Sequence, residues 1–372
     1  MTRADSELDA PNPDASARDP GERSRAQDGA FDHRCRTRVV YGPGTSDRTG
    51  ALARELGGRR ALLVTDPGVS RAGHADRVAA SLTEAGVEVV RFDRVHENPT
   101  TRDVDECVAA GIDVDLVVGL GGGSSLDTAK GCNFLLTNGG RMADYRGAGR
   151  AERPMLPMIA IPTTAGTGSE VQSYALIADE ATHQKMACGD EKAAPAVALL
   201  DPVLTTTLPR IVAACTGIDA IAHAVESRVT RCANAMSTMY ARQSFRMTAQ
   251  RLPDVLTDDP DLAARGDMLL GAALAGMAIE ASMLGAAHSA ANPLTAQFDV
   301  VHGRAVGVML PHVVRFNRTE PQARTGYAEL ARDAGLAPAD GDDDDAVDAL
   351  VAHLHRLLRV CGFDRLLGDD QP

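Results

Sequence analysis

The stretch from Asp115 to Lys130 constrains the fold more than any other part of the sequence. An unbroken apolar run, Leu116-Val117-Val118-Gly119-Leu120, passes directly into Gly121-Gly122-Gly123-Ser124-Ser125 and then into Leu126-Asp127-Thr128-Ala129-Lys130. A continuous apolar run bounded in this way reads as a strand buried on both faces, the kind found in parallel sheets covered by helices. Glycines at its end let backbone amides approach an anion closely, and the start of the following helix adds unpaired N–H donors and a partial positive charge. A bare tight turn capped by Ser124 or Ser125 would use the same residues without a ligand, so the turn by itself leaves both readings open.

Its surroundings repeat the strand and helix alternation. Arg38 to Gly42 reads as a strand and Gly50 to Leu56 as a helix; further strand-like runs are Ala61 to Thr65, Val87 to Phe92, Met158 to Ile161 and Val197 to Leu200. Segments of helical period, Ala75 to Ala85 and Val104 to Ala110, lie between them, which predicts βαβ units and a parallel sheet. After about residue 205 the pattern changes to Ala-, Leu- and Met-rich stretches with helical spacing, Val212 to Val229, Ala235 to Leu252 and Leu262 to Leu284. The expected architecture is therefore an α/β domain with a parallel sheet over residues 35–205, followed by an all-α domain over 206–372. Residues 1–34 are rich in Asp, Glu, Arg, Ser, Pro and Gly and cannot bury enough apolar surface to offset ordering, so they are expected to form a disordered tail. The acidic run Asp342 to Asp345 precedes the helical pattern Ala346 to Val360, where it suits the positive end of a helix dipole.

Charge and cysteine usage exclude some classes. The formal charge is 38 basic minus 51 acidic residues, or −13, which favours solubility and argues against a general affinity for nucleic acid or anionic membranes. The seven cysteines (Cys35, Cys107, Cys132, Cys188, Cys215, Cys232 and Cys361) form no CxxC pair, and an odd number cannot all pair within one chain. A reducing compartment fits them best. No apolar run reaches the roughly 18 residues needed to span a bilayer, and the N-terminus lacks the apolar stretch of a secretory signal; a soluble cytoplasmic protein is expected.

Two sets of residues carry chemistry. Ile161-Pro162-Thr163-Thr164-Ala165-Gly166-Thr167-Gly168-Ser169-Glu170 sets hydroxyl donors and glycines at a second strand end, beside the crevice that open α/β sheets form there. Asp66 ends another strand and could accept hydrogen bonds from a ribose, although Pro67 after it equally fits a helix N-cap. In the helical half, Asp219 and His223 stand four residues apart on one face of a helix, while His288 and His302 lie in small, apolar surroundings. Four O and N donors from three segments suit a divalent first-row metal. His312, in a Leu-Pro-His-Val run, is a further histidine read as structural.

With these residues in order, the sequence resembles the iron-containing alcohol dehydrogenases of the dehydroquinate-synthase-like superfamily. The likeness covers roughly residues 38–318 and runs through Val64-Thr65-Asp66, Asn98-Pro99, the Gly121 to Ser124 turn with Asp127 and Lys130, Ile161 to Glu170, Gly217 to Glu226, His288 and His302-Gly303. It implies a dinucleotide-binding α/β domain, a helical metal-binding domain and an enzyme that moves hydride between a small alcohol or aldehyde and a nicotinamide. It also implies that Asp219, His223, His288 and His302 hold the metal, Fe2+ with Zn2+ as the alternative. Gly122, Gly123 and Ser124 would hold the pyrophosphate. Asp66, Asn98, Asp127, Thr163, Thr164, Thr167 and Lys185 would serve the rest of the cofactor site, the Asp66 carboxylate favouring NAD over NADP. Relatives suggest a homodimer. The chain departs from the pattern at Asn292, where members often carry a histidine near the nicotinamide; an amide cannot act as acid or base there. It departs again after Phe363, where only a short polar tail follows. A zinc-dependent polyol dehydrogenase and a non-catalytic nucleotide-binding paralogue are the rival readings.

Overall fold

The computed structural model of the chain describes residues 30–363 apart from positions 183 and 299, so the expected tail lies almost wholly outside the described residues. Strand β1 (Arg38–Tyr41) is followed by α1 (Thr49–Glu55), β2 (Arg60–Val64), α2 (Pro67–Arg71), α3 (His74–Glu84), β3 (Glu88–Phe92) and α4 (Thr101–Ala110). Next come β4 (Leu116–Gly121), α5 (Gly123–Asn138), β5 (Gly147–Ala148), β6 (Met158–Pro162), β7 (Tyr174–Ala178), β8 (Lys185–Gly189) and β9 (Val197–Leu200). Helices α6 (Arg210–Val229), α7 (Ala235–Val255), α8 (Leu262–Ser282), α9 (Ala286–Phe298), α10 (His302–Asn317), α11 (Pro321–Asp333) and α12 (Asp343–Cys361) complete the order.

Six strands pair in parallel in the order β1-β9-β6-β4-β2-β3. The inner strands are apolar throughout because both faces are covered, and their side chains alternate between two cores with the strand period of two. Ala61 and Leu63, Leu116, Val118 and Leu120, and Ile159 and Ile161 meet Leu52 of α1 and Val78 and Leu82 of α3. Leu62 and Val64, Val117, and Met158 and Ala160 point the other way, onto Cys107 of α4 and Leu126, Ala129 and Cys132 of α5. The strand order reverses between β2 and β4. The loops leaving those two strands, at Asp66 and at Gly121 to Ser125, therefore flank the crevice where such sheets bind ligands.

A small second sheet, β5-β8-β7, has no counterpart among the sequence expectations. Its longer strands have five residues each, with burial alternating along Tyr174–Ala178 and Lys185–Gly189, too short a pattern to stand out from a loop. It covers the far side of α5 through Ala175, Ile177, Met186 and Cys188 against Phe134.

In the helical half, α6 is buried at every position from Gly217 to Ser227, as befits the central helix of a bundle. Helix α8 corrects one expectation. Leu262–Ser282 is long and apolar enough to cross a membrane by length and composition, and 67% of its most apolar window is buried within the protein. It lines the sheet through Leu269 and Ala273, which pack on Ala198 and Leu200 of β9. From Asp32 onward the described residues form one compact unit. The two halves meet closely at Gly166: a Cβ there would lie 2.4 Å from Thr216 Cβ, so only glycine lets the loop after β6 seat on α6 one turn before Asp219.

Candidate metal centre and cofactor crevice

Three imidazoles converge on one carboxylate oxygen. Asp219 Oδ1 lies 3.3 Å from His288 Nε2, 3.6 Å from His223 Nε2 and 3.9 Å from His302 Nε2. Helix α6 supplies Asp219 and His223 from successive turns, α9 supplies His288 from its first turn, and His302 opens α10. The rings of His223 and His288 stack at 4.8 Å, and His302 sits 5.5 Å from His288 at a tilt of 55°. Asp219, His223 and His288 are each only 5% exposed, whereas the His302 side chain is 30% exposed, so solvent reaches the cluster beside His302.

Burial and mutual charge set the protonation of the cluster without an ion. Burial pushes His223 down to about 4 against the pull of Asp219, and it lowers His302 as well. Burial alone would also lower His288, but hydrogen bonds to Asp219 and Glu226, reinforced by their charges, lift it to about 9. Burial works against ionisation of Asp219, yet the surrounding imidazoles of His223, His288 and His302 outweigh it and hold the carboxyl well below its usual range. The His288 ring faces a carboxylate at each nitrogen, Nδ1 toward Glu226 and Nε2 toward Asp219.

These donors fit a metal. Two donors each about 2.1 Å from one ion at a tetrahedral angle stand roughly 3.4 Å apart, and the observed separations from Asp219 Oδ1 bracket that value. The ligand atoms of Asp219, His288 and His302 all lie within 4.8 Å of one another. His223 joins through its contact with Asp219, its Nδ1 buried without a hydrogen-bond partner. His312 is not part of the cluster: it is exposed on α10 and pairs edge-on with His355 at 6.4 Å.

The crevice brings together several expected cofactor residues. Helix α5 begins at Gly123 with Gly122 as its N-cap and no side-chain cap, leaving first-turn amides for a ligand. The side chains of Thr164 and Thr167 lie beside Gly122 and Gly123: a Cβ at either glycine would come within 3.3 Å and 2.7 Å of their methyl groups. Thr163 N–H donates to Gly121 O at 3.0 Å, and Asn98, held at φ 52°, donates its N–H to Ser124 Oγ at 3.3 Å. Asp66 does cap α2, its Oδ1 accepting from Gly68 and Val69 N–H, while Oδ2 takes Ser125 Oγ at 3.2 Å and faces the glycine loop. Lys185 is an exposed cation at the start of β8, close enough for its charge to act on both Asp127 and His302.

Asp127 was grouped with the cofactor contacts, but both its oxygens are engaged inside the protein, by Ser169 Oγ at 2.6 Å and Leu176 N–H at 3.0 Å. It works with the fully buried Lys130, whose ammonium donates to Ser169 O, Ser169 Oγ and Tyr174 O. This pair ties α5 to the loop after β6 from beneath. Glu226 is the residue that sequence reasoning left without a role. It stands three residues after His223 and seven after Asp219, on the same helical stripe, and that spacing was the available signal. Asn292 lies exposed one turn beyond His288.

Comparison with known proteins agrees with this geometry. Residues 36–202 match the family model described as iron-containing alcohol dehydrogenase, and residues 213–369 match the C-terminal model of the same family. The NAD-dependent methanol dehydrogenase of Bacillus methanolicus is 37% identical over 309 residues, covering 81% of this chain and 80% of the relative. The crystal structure of a 1,3-propanediol oxidoreductase superposes with a TM-score of 0.86 at 33% identity, covering 90% of this chain and 87% of that one. Sulfoacetaldehyde reductase from Bifidobacterium kashiwanohense, solved in complex with NAD+, gives a TM-score of 0.81 at 26% identity, over 90% and 86% of the two chains. The chain belongs to the iron-containing alcohol dehydrogenase family. Fold, site and relatives together make it an NAD-linked alcohol dehydrogenase, and they favour that reading over a polyol dehydrogenase or a non-catalytic paralogue.

Proposed function

We propose that this enzyme interconverts a small primary alcohol and its aldehyde, with ferrous iron at Asp219, His223, His288 and His302 and with NAD rather than NADP as hydride partner. The observation that carries the reading is the convergence of three imidazole Nε2 atoms on Asp219 Oδ1, on the helix against which the Thr163 to Gly168 loop packs. A divalent ion bound there supplies a Lewis acid that eases loss of the alcohol proton and polarises the aldehyde in reverse. The first-turn amides of α5, with Gly122, Gly123 and Ser124, hold the pyrophosphate. Thr163, Thr164 and Thr167 supply hydroxyls across the crevice, Asn98 braces the glycine loop through Ser124, and Lys185 adds positive charge at the mouth. Asp66 Oδ2 accepts from the ribose and repels a 2′-phosphate. Asn292 takes no proton, so proton exchange with solvent does not pass through it. A homodimer in the cytoplasm is the setting we propose.

The reading is tested with anaerobically purified, Fe2+-reconstituted protein and a panel of short aldehydes, following NADH and NADPH absorbance. NADH-linked reduction that His288→Ala abolishes while retaining a cooperative melt is expected. Turnover unchanged in His288→Ala, or equal rates with NADPH, would refute the ligand or the cofactor assignment respectively.

A further inference from the structure

One carboxylate near the cluster occupies no expected ligand position yet contacts both the metal-facing ring and the helix that carries it. Glu226 is 2% exposed on α6, and its two oxygens meet two N–H donors of consecutive residues. Oε1 accepts the Ala287 N–H at 2.6 Å, and Oε2 accepts His288 Nδ1–H. Ala287 is the second residue of α9, where a backbone N–H has no partner within the helix and a negative charge is favourable. The residue before that helix is fitted to the arrangement: a Cβ at Gly285 would lie 2.7 Å from Glu226 Oε1.

We propose that Glu226 is a positioning residue for the metal centre: it docks the start of α9 on α6 and holds the His288 ring with Nδ1 protonated, so that Nε2 is the nitrogen turned toward the ion. This rests on the metal reading of the Asp219 and histidine cluster. The chemistry requires a carboxylate in particular. Both groups that face Glu226 are donors, so the residue must supply two acceptors. A glutamine supplies one acceptor and an NH2 group. With its oxygen on Ala287, its amide faces His288 Nδ1 and favours the tautomer with the proton on Nε2, which cannot ligate. With its oxygen on His288, the amide opposes Ala287 N–H and the helix start is pushed away. Either outcome degrades the site, while a shorter aspartate keeps two acceptors at a longer reach.

The test uses metal binding and ring protonation rather than turnover. Metal-free parent, Glu226→Gln, Glu226→Asp and His288→Ala proteins are titrated with Co2+ against a competing chelator, and far-UV circular dichroism and melting report the fold. The Gln variant is expected to lose about 10- to 100-fold in Co2+ affinity with its fold kept, and the Asp variant to regain part of it. In the Zn2+-loaded parent, 15N shifts of His288 are expected to show a protonated Nδ1. Parental Co2+ affinity in Glu226→Gln, or a His288 coordinated through Nδ1, would overturn the proposal; the 15N result decides alone if the Gln variant does not fold. The two readings fail differently. Undiminished Co2+ binding in His288→Ala removes the metal site itself, whereas binding lost in His288→Ala but retained in Glu226→Gln removes only the role of Glu226.

Discussion

Glu170 offers a test of the electrostatics beneath the cofactor crevice. Its carboxyl is 2% exposed in the turn after Gly168, and no side-chain hydrogen bond to it is found among the described residues. Burial raises it from its ordinary 4.5 to about 7, against weaker pulls from its own backbone N–H and from the Lys130 charge. Because the folded value is the higher one, the protonated native state is favoured at low pH. That stability is fully present below the unfolded value and is lost as pH rises through about 7. The full effect is on the order of 3 kcal/mol, most of which falls between pH 5 and pH 8. Glu170→Gln keeps the shape and removes the titration. In thermal melts of the metal-free protein, the variant should gain roughly 3 °C over the parent on going from pH 5 to pH 8. All other groups cancel in that comparison, so a difference between variant and parent that is the same at both pH values would refute the assignment of a buried carboxyl raised in the folded state.

Two further substitutions probe the site. A Cβ at Gly303 would lie 2.1 Å from the Cys215 carbonyl oxygen, so Gly303→Ala must displace the start of α10 and with it His302. About 1–3 kcal/mol of stability and on the order of 100-fold in turnover should be lost; melting and kcat at parental values would show that this contact is slack. Asp66→Ser keeps a helix cap but removes the charge, and should raise the ratio of NADPH to NADH kcat/KM by about tenfold or more; an unmoved ratio would dissociate Asp66 from cofactor choice.

The sheet was legible because its inner strands are continuous apolar runs, and the glycine turn because it follows one of them. The helical half was equally plain in its long Ala-, Leu- and Met-rich periods. What escaped were features whose meaning depends on a partner distant in the chain. Strands β7 and β8 acquire strand character from each other and from Phe134 on α5. Asp127 looked like a ligand-facing acid in a glycine-loop motif, and only the approach of Ser169 and Leu176 shows it facing inward. Helix α8 reads as any apolar helix would; its place against β9 is a tertiary fact. The candidate ligands were singled out by type and by family resemblance, but the spacing of Asp219 and His223 says nothing about His288 and His302, which the fold alone brings to one oxygen.

Charge balance explains why this particular donor set belongs in a protein interior. Unpaired charge is costly where Asp219 and Glu226 sit, at 5% and 2% exposure. In the metal-free cluster His223 and His302 have been driven toward neutrality, and the His288 proton alone lies between the two carboxylates. The pocket sets a carboxylate at each nitrogen of the His288 ring, so it favours a cation over an anion. The opening at His302 leaves one side of the otherwise buried cluster facing solvent.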